Sequence, residues 1–521
     1  MLRVFQNDLQ DPRRFVVTME LVPGREPAGR SIDIIKAMAA DAFADGRISA
    51  VSITDNPGGN PSLSPDVIGS EIFKVGMDVI VHFTCRDANR VGMESRALQL
   101  ALMGMKNILA LTGDYTGKGF AGQGAPVFDL DSVTLLVMLG MLNERIQQAG
   151  DPDLFFSGCA VSPFKSRHGE AFAQYAKLCR KAAAGARFVI TQLGYDAGGF
   201  QDLLTVQRRM GVELPAIGTV YYLTPGAAQL MHSGKVPGAV VPGELLRQVS
   251  EEWQDKTHGR MVAIERAARL GAVLKGLGYR GIHIAGVHRS FDLVARILDR
   301  MAAIEDRWRD FVADFDDSTA ETAGADRRPS TAARWRSRPP LRSRIHFRLL
   351  KAVHDGFFRA EAPLAAALRS LAVRLDGCNA GRFIVHLLED PAKMLLLDCR
   401  RCGDCAIQHV GFLCPESQCP KHIRNGACGG SRDGRCEVFP ERDCVWFRAY
   451  RRFAFAGMLP EMAAGCVPPR MWELDVTSSW LNFHLQRDHQ GIAAEVVSVC
   501  RQATCRLSQE IVFNTLLKYP A

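Results

Sequence analysis

Residues 15–54 read FVVTMELVPGREPAGRSIDIIKAMAADAFADGRISAVSIT. A short apolar run, Phe15–Leu21, ends in a Pro/Gly loop. Apolar residues then recur every three or four positions over Ser31–Asp45, and a second apolar run follows at Ile48–Thr54. This is the pattern of a strand, a helix and a second strand parallel to the first, both strands being covered on two faces. The theme recurs eight times through residue 304. Further strands are predicted at Val79–Cys85, Ile108–Thr112, Phe155–Val161, Phe188–Gln192, Ala216–Tyr222 and Gly281–Ala285, with further helices at Asp87–Met103, Ser132–Gln148 and His168–Ala184. Eight such units in about 300 residues predict an α/β fold closed as a (βα)8 TIM barrel. An open doubly wound sheet fits less well, because the first strand lacks the G-x-G-x-x-G turn of a dinucleotide-binding unit.

At 521 residues the chain exceeds one ordinary core. The barrel accounts for residues 1–305. Residues 306–344 are rich in Ala, Ser, Thr, Pro and charge, a composition that buries little surface and reads as a flexible basic linker. A helical pattern returns at Ile345, and residues 345–521 make a smaller, mostly helical, cysteine-rich domain. Hydrophobic residues at 47% and charged residues at 23% are the balance of a globular chain, and no apolar run is long enough to span a bilayer. The first residues, MLRVFQNDLQDPRRF, lack the apolar core of a secretory signal, so a cytoplasmic protein with no membrane association is expected. Net charge is +8, but much of the excess lies between Arg327 and Lys351 among Pro, Ser and Ala. A nucleic-acid partner is therefore not expected, since it needs a basic face on a folded element.

In a TIM barrel the chemistry sits at the carboxyl ends of the strands. Those ends carry Glu20; Thr54, Asp55 and Asn56; His82, Thr84, Arg86 and Asp87; Thr112 and Asp114; Ser162 and Lys165; Gln192 and Asp196; His283, His288 and Arg289. Asp, Asn, Thr and Gly often cap helices or close turns, and Asn56-Pro57-Gly58-Gly59 reads as a turn. Glu20 reads otherwise, because a carboxylate within an apolar strand is costly to bury without a partner or a task.

Four stretches, VTMELVPG, HFTCRDANR with LALTGDYTG, GARFVITQLGYD and GIHIAGVHR, resemble the methylenetetrahydrofolate reductase family in the right order across the barrel. The resemblance implies a flavin-dependent oxidoreductase that reduces 5,10-methylenetetrahydrofolate to 5-methyltetrahydrofolate, or runs the reverse, in one-carbon metabolism. It implies FAD as cofactor, a folate as substrate, a homo-oligomer, and NAD(P)H or a partner protein as electron donor. Glu20 falls on the acid that helps open the methylene bridge to an iminium, and its apolar neighbours Met19, Leu21 and Val22 would raise its pKa. Asp114 falls beside the flavin and the pterin, and Gln192 on a contact to substrate at the flavin face. Thr54, His82, Thr112, Gly113, Asp114, Arg180 and Lys181 fall on positions that hold FAD, with Arg180 and Lys181 as diphosphate partners or as a solvated helix face. Thr112 stands where the best-known form of the family has Arg. Leu223 stands where it has an aromatic, with Tyr221 and Tyr222 adjacent, and the loop at Ser162 lacks a tyrosine.

Of fifteen cysteines, eight lie close together: Cys399, Cys402, Cys405, Cys414, Cys419, Cys428, Cys436 and Cys444. Thiolates bind soft metals four at a time, so eight fit two centres. C-x2-C-x2-C followed by a later cysteine leans to an iron–sulfur cluster, while a zinc ribbon would prefer two C-x2-C knuckles. His409 and His422 are alternative ligands. Residues 399–446 are similar to the cysteine-rich C-terminal module associated with methylenetetrahydrofolate reductases, which implies iron–sulfur clusters or zinc. Two other readings remain: a tetrahydrofolate-linked methyltransferase on a similar barrel without flavin, and a cysteine-rich scaffold behind an inert barrel.

Overall fold

The computed structural model describes residues 4–316 and 339–492, apart from 360 and 363. The strands β1 Val16–Leu21, β2 Ala50–Ile53, β3 Val79–Thr84, β4 Asn107–Leu111, β5 Phe156–Val161, β6 Phe188–Thr191, β7 Ala216–Tyr221 and β8 Gly281–Ala285 lie within two residues of their predicted bounds. All pair in parallel, and β1 pairs with both β2 and β8, which closes the barrel. Helices α1 Val4–Gln10, α2 Arg30–Asp45, α3 Pro65–Lys74, α4 Arg90–Leu102, α5 Ser132–Gln148, α6 His168–Ala183, α7 Ala197–Met210, α8 Pro225–His232, α9 Gly243–Glu252, α10 Lys256–Leu277 and α11 Asp292–Ile304 alternate with or extend these strands. Helix α4 starts three residues later than expected because Asn89 caps it, its side chain accepting from Gly92 N at 3.0 Å.

Alternate strand residues point into the barrel, which is filled in layers. The lowest layer is apolar: Val16, Ala50, Ile80, Leu109, Phe156, Phe188 and Ile217 form one buried cluster with Phe5 and Leu9 of α1. Phe5 meets Phe188 edge-on at 5.1 Å between ring centroids, so α1 plugs this end. Asp78 pins the plug, accepting from Phe5 N at 3.0 Å and from Asn107 Nδ2 at 2.8 Å. Gly158 gives the Phe188 ring its room, since a Cβ there would lie 2.2 Å from it.

The chain divides into two compact units, one of Met1–Val127, Met138–Ser166 and Gly185–Arg327, the other of Phe128–Val137, Arg167–Ala184 and Arg328–Ala521. In the first, residues Glu305–Phe315 form a 3-10 helix at the start of the expected linker. Phe311 and Phe315 are buried and Asp314 pairs with Arg269 at 2.8 Å, an apolar contribution that the polar composition around it conceals. Most of the remaining linker, residues 317–338, lies outside the described residues.

The second unit holds α12 Leu341–Phe357, α13 Ala365–Asp376, α14 Asn379–Leu397, α15 Pro415–Gln418, α16 Val445–Ala456, α17 Ser479–His484 and α18 His489–Ile492. It also holds α6, whose residues 169–181 are buried except for the half-buried Ala171. Gly169 allows α16 to approach closely: a Cβ there would come within 2.3 Å of the Tyr450 ring. Gln174 Nε2 donates to the Cys428 carbonyl at 2.7 Å, and Lys177 Nζ to that of Gly426 at 3.4 Å. Asn425 donates to Asp131 at 3.1 Å from both its backbone N and Nδ2, and its side chain exchanges two further bonds with the backbone of Val467. Among the described residues no helix is long and apolar enough to cross a membrane.

Candidate active site and metal centres

Above its apolar floor the barrel interior turns polar. Thr18 Oγ1 lies 2.8 Å from His283 Nδ1, and Ser52 Oγ lies 2.7 Å from His82 Nε2. Burial pushes His82 down to about 4, while burial and then neighbouring His82 push His283 down to about 3, so both rings are neutral at pH 7. One alternation further up β1 is Glu20, paired in register with Ser52. Burial pushes the Glu20 carboxyl up to about 7. Tyr221 stands at a matching height two strands away, since Met19 pairs with Ile284 and Tyr221 with Ala285. Its phenol is pushed up to about 12 by burial and then by the Glu20 charge, which marks the two as neighbours. Gly286 leaves space for the Tyr221 ring, 2.6 Å from where a Cβ would stand.

Thr54 and Ser162 add two buried hydroxyls that meet no hydrogen-bond partner among the described residues. Such groups at strand ends fit a polar ligand, because an orphaned hydroxyl costs about 1–3 kcal/mol until something satisfies it. Asp114 accepts from Gly58 N at 3.1 Å, joining the loops after β4 and β2. Gly113, at φ 89°, is a required glycine, with Thr84 3.1 Å from a notional Cβ. Gln192 is oriented at both ends, Nε2 donating to the Pro237 carbonyl at 3.3 Å and Oε1 accepting from Leu193 N at 2.9 Å.

Other polar strand ends serve the scaffold. Asp55 accepts from Thr84 Oγ1 at 3.0 Å and pairs with Arg96 at 2.8 Å. Arg86 forks onto Asp87 at 2.8 and 2.7 Å, and Asp196 caps α7 through Gly198 N at 2.9 Å. Leu223 is fully buried in an apolar cluster with Leu193 and Met231. Arg180 and Lys181 lie in the second unit and are buried, so neither makes a solvated face. Arg180 Nη2 donates to the carbonyls of Glu461 and Ala464, each at 3.2 Å, and the expectation of a diphosphate contact gains nothing from this placement. Sequence reasoning missed Thr18, Ser52 and the inward setting of Tyr221. The signal was there: Thr18 and Ser52 precede Glu20 and Thr54 by two, the strand period, on adjacent strands.

The eight clustered cysteines sort into two groups of four. Burial and then Cys405 push Cys402 up to about 12, and the same two causes push Cys414 up to about 11. Cys399 is raised by burial, with Cys405 adding to the effect. Cys419 is pushed up to about 12 by burial and then by Cys428 and Cys436, and Cys444 well above its usual range by burial, Cys428 and Cys419. Cys419, Cys428, Cys436 and Cys444 line one small cavity. Four thiols grouped in this way are a donor set that a thiophilic metal ion could use, and backbone N–H groups point at several of them. Arg401 N donates to Cys399 Sγ at 3.3 Å, Lys421 and Ile423 donate to Cys419, Gly430 to Cys428, and Trp446 and Phe447 to Cys444. The thirteen described cysteines are all free of disulfides.

Neither candidate histidine needs a metal to account for its position. His422 Nδ1 lies 3.0 Å from the Glu416 carbonyl, and His409 Nε2 lies 3.4 Å from His489 Nε2. Asp404, Asp488 and His489 also bring potential ligand atoms within 4.8 Å of one another. Asp404 is already satisfied, accepting from Arg424 Nη1 at 2.6 Å, Met471 N at 3.2 Å and His489 N at 3.1 Å. Burial opposes its charge, yet these partners hold its carboxyl well below the usual range. The buried guanidinium supplies the positive charge an ion would bring.

The chain is thus a closed parallel (βα)8 barrel with polar groups at its carboxyl-end rim, followed by a cysteine-rich region that carries two groups of four thiols. The family model described as methylenetetrahydrofolate reductase matches residues 6–302, and that described as its C terminal matches residues 381–473. The chain belongs to the methylenetetrahydrofolate reductase family. It is 26% identical over 212 residues to a probable methylenetetrahydrofolate reductase (NADPH) of Caenorhabditis elegans, covering 40% of this chain and 30% of that relative's length. Among solved structures, a Clostridium thermocellum protein that binds two copies of 5-methyl-5,6,7,8-tetrahydrofolic acid matches with TM-score 0.39 at 12% identity, over 58% of this chain and 99% of that one. An EDTA monooxygenase of Chelativorans sp. BNC1 matches with TM-score 0.35 at 12% identity, over 57% and 94%. Neither likeness bears on function.

Proposed function

We propose that this protein interconverts 5,10-methylenetetrahydrofolate and 5-methyltetrahydrofolate with FAD at the barrel rim. The observation that carries the reading is the Glu20 carboxyl, raised to about 7 inside the barrel mouth. An acid with that pKa holds its proton at neutral pH and can release it, which general acid catalysis requires. In the reductive direction Glu20 gives its proton to a nitrogen of the methylene bridge as the five-membered ring opens. Tyr221 stands at the level of that carboxyl two strands away. Thr54, His82, Thr112, Gly113 and Asp114 would hold the flavin, the orphaned Thr54 hydroxyl finding its partner there, while Gln192 meets the substrate. When bound, the flavin supplies or accepts the hydride.

The two thiol tetrads would hold two metal centres. Iron–sulfur clusters there would pass electrons, whereas zinc would serve structure alone. The first case calls for a protein electron donor, the second for NAD(P)H. Free cysteines throughout the described chain fit a reducing compartment such as the cytoplasm.

The test is purification without air, followed by visible spectroscopy, metal and acid-labile sulfide analysis, and folate turnover with and without NAD(P)H. A flavin spectrum with turnover that Glu20→Gln abolishes is the expected result. Methyl transfer by a flavin-free protein would overturn it.

A further inference from the structure

The loop that carries Cys399, Cys402 and Cys405 is held from outside itself. Arg401 and Gly403 both take positive φ, at 56° and 68°. A non-glycine residue such as Arg401 keeps that conformation only where its surroundings fix it. Much of the fixing comes from residues 471–489, which lie 67 to 85 positions beyond Asp404. Val476 N donates to the Arg401 carbonyl and Asn482 Nδ2 to that of Gly403, both at 2.9 Å. Met471 N and His489 N donate to the Asp404 carboxylate at 3.2 and 3.1 Å. Asp404 and Asn482 are buried, so an amide or carboxylate left unpaired here has no water to turn to. A Cβ on Gly403 would collide with the Leu474 carbonyl oxygen, and glycine lets the two backbones meet.

The same segment grips helix α14, whose last residue, Leu397, lies two before Cys399. Ser479 Oγ accepts from Lys393 Nζ at 2.6 Å, and Ser479 N donates to Glu389 Oε1 at 3.1 Å. Cys399 N in turn donates to the Lys393 carbonyl at 3.4 Å. The segment itself holds no cysteine. By contrast, the cavity of Cys419, Cys428, Cys436 and Cys444 is lined by residues between 418 and 446. A metal on Cys399, Cys402, Cys405 and Cys414 and a docked segment 471–489 thus call for one conformation of one loop. Two partners that select the same conformation strengthen each other by the same factor.

We propose that residues 471–489 are a positioning element for the first metal centre: without supplying a thiol, they hold the Cys399–Cys405 loop and set how tightly the four thiols keep their metal. The inference rests on the reading of the eight thiols as two centres. Zinc competition on the full-length protein tests it, a chromogenic chelator drawing the metal off while Cys402→Ser and Cys428→Ser mark which centre releases it. Gly403→Ala and Asn482→Ala should each weaken zinc at the first centre about tenfold or more and leave the second unchanged. Hydrogen exchange supplies the reciprocal. In Cys402→Ser the amides of Val476 and His489 should open about tenfold or more often, while the barrel amides keep their protection. Asn482→Ala carries the test if Gly403→Ala misfolds. Zinc held as tightly by both variants as by the native protein would overturn the proposal, and so would equal weakening at the two centres or unchanged exchange at Val476 and His489. If Cys402→Ser costs the protein no zinc, the first centre itself falls, and the positioning role with it.

Discussion

His283 Nδ1 and the Thr18 hydroxyl lie 2.8 Å apart inside the barrel, one strand alternation beneath Glu20. The floor below them is apolar and the rim above holds the Glu20 carboxyl. The pair therefore marks the level at which the interior changes from apolar packing to polar side chains. Thr18→Val leaves a buried ring nitrogen unsatisfied and should cost about 1–2 kcal/mol, read by denaturant unfolding at pH 7. Thr18→Ser keeps the bond and should lose less.

The two buried imidazoles also set an acid limit. Their pKa values in the fold, about 4 for His82 and about 3 for His283, lie below the ordinary 6.5. As pH falls below 6.5 the unfolded chain takes up protons that the folded barrel refuses, so stability declines through pH 4 and 3. A Tm series across that range should show the decline, and it should be shallower in His283→Gln. Equal slopes in the two proteins would contradict the assignment.

Glu20 carries the opposite sign relative to activity. Burial lifts its pKa from 4.5 to about 7, so ionising it costs the folded state. That cost is absent below pH 4.5, grows as pH rises to 7 and is constant above. Glu20→Gln should therefore stabilise the protein at pH 8 by on the order of 2 kcal/mol and leave it unchanged at pH 4. The same substitution should lower folate turnover by roughly 100-fold or more. A variant both active and unstabilised would remove the acid from the proposal.

Thr54 separates ligand binding from folding. Its hydroxyl is buried without a partner among the described residues, so Thr54→Val should leave the flavin-free protein at least as stable. Flavin affinity should fall about tenfold, measured by fluorescence on release of the cofactor. Unchanged affinity would mean that the hydroxyl faces something else.

The cysteine sorting predicts stoichiometry. Cys402→Ser should remove the centre of Cys399, Cys402, Cys405 and Cys414 and leave that of Cys419, Cys428, Cys436 and Cys444. Cys428→Ser should do the reverse. Metal analysis of each variant should give half the native content, and loss of both centres from either one would show that the eight thiols form a single unit.

Much of the barrel was legible in residues 15–304, because parallel strands covered on both faces must be apolar almost throughout and so stand out between Gly/Pro loops. Helix α1 was not, since seven residues with two buried side chains carry too little periodicity to register. The rim was half legible. Glu20 announced itself by its cost, whereas Tyr221 resembles any strand aromatic until the register sets it beside Glu20. The burial of Arg180 was not legible either, for a different reason. The carbonyls that Arg180 meets lie some 280 positions away, and nothing local distinguishes a buried guanidinium capped by carbonyls from one waiting for phosphate.

Helix α6 is made between two barrel strands but clothed by residues that come much later. During synthesis its twelve buried positions must wait for Gly426, Cys428, Tyr450 and Glu461 to leave the ribosome, a delay of tens of seconds at about 5–20 residues per second. The nascent chain thus carries this helix uncovered for that interval, in which a holding chaperone can act. The cysteine-rich module is in this sense the last garment of a helix that the earlier sequence had already produced.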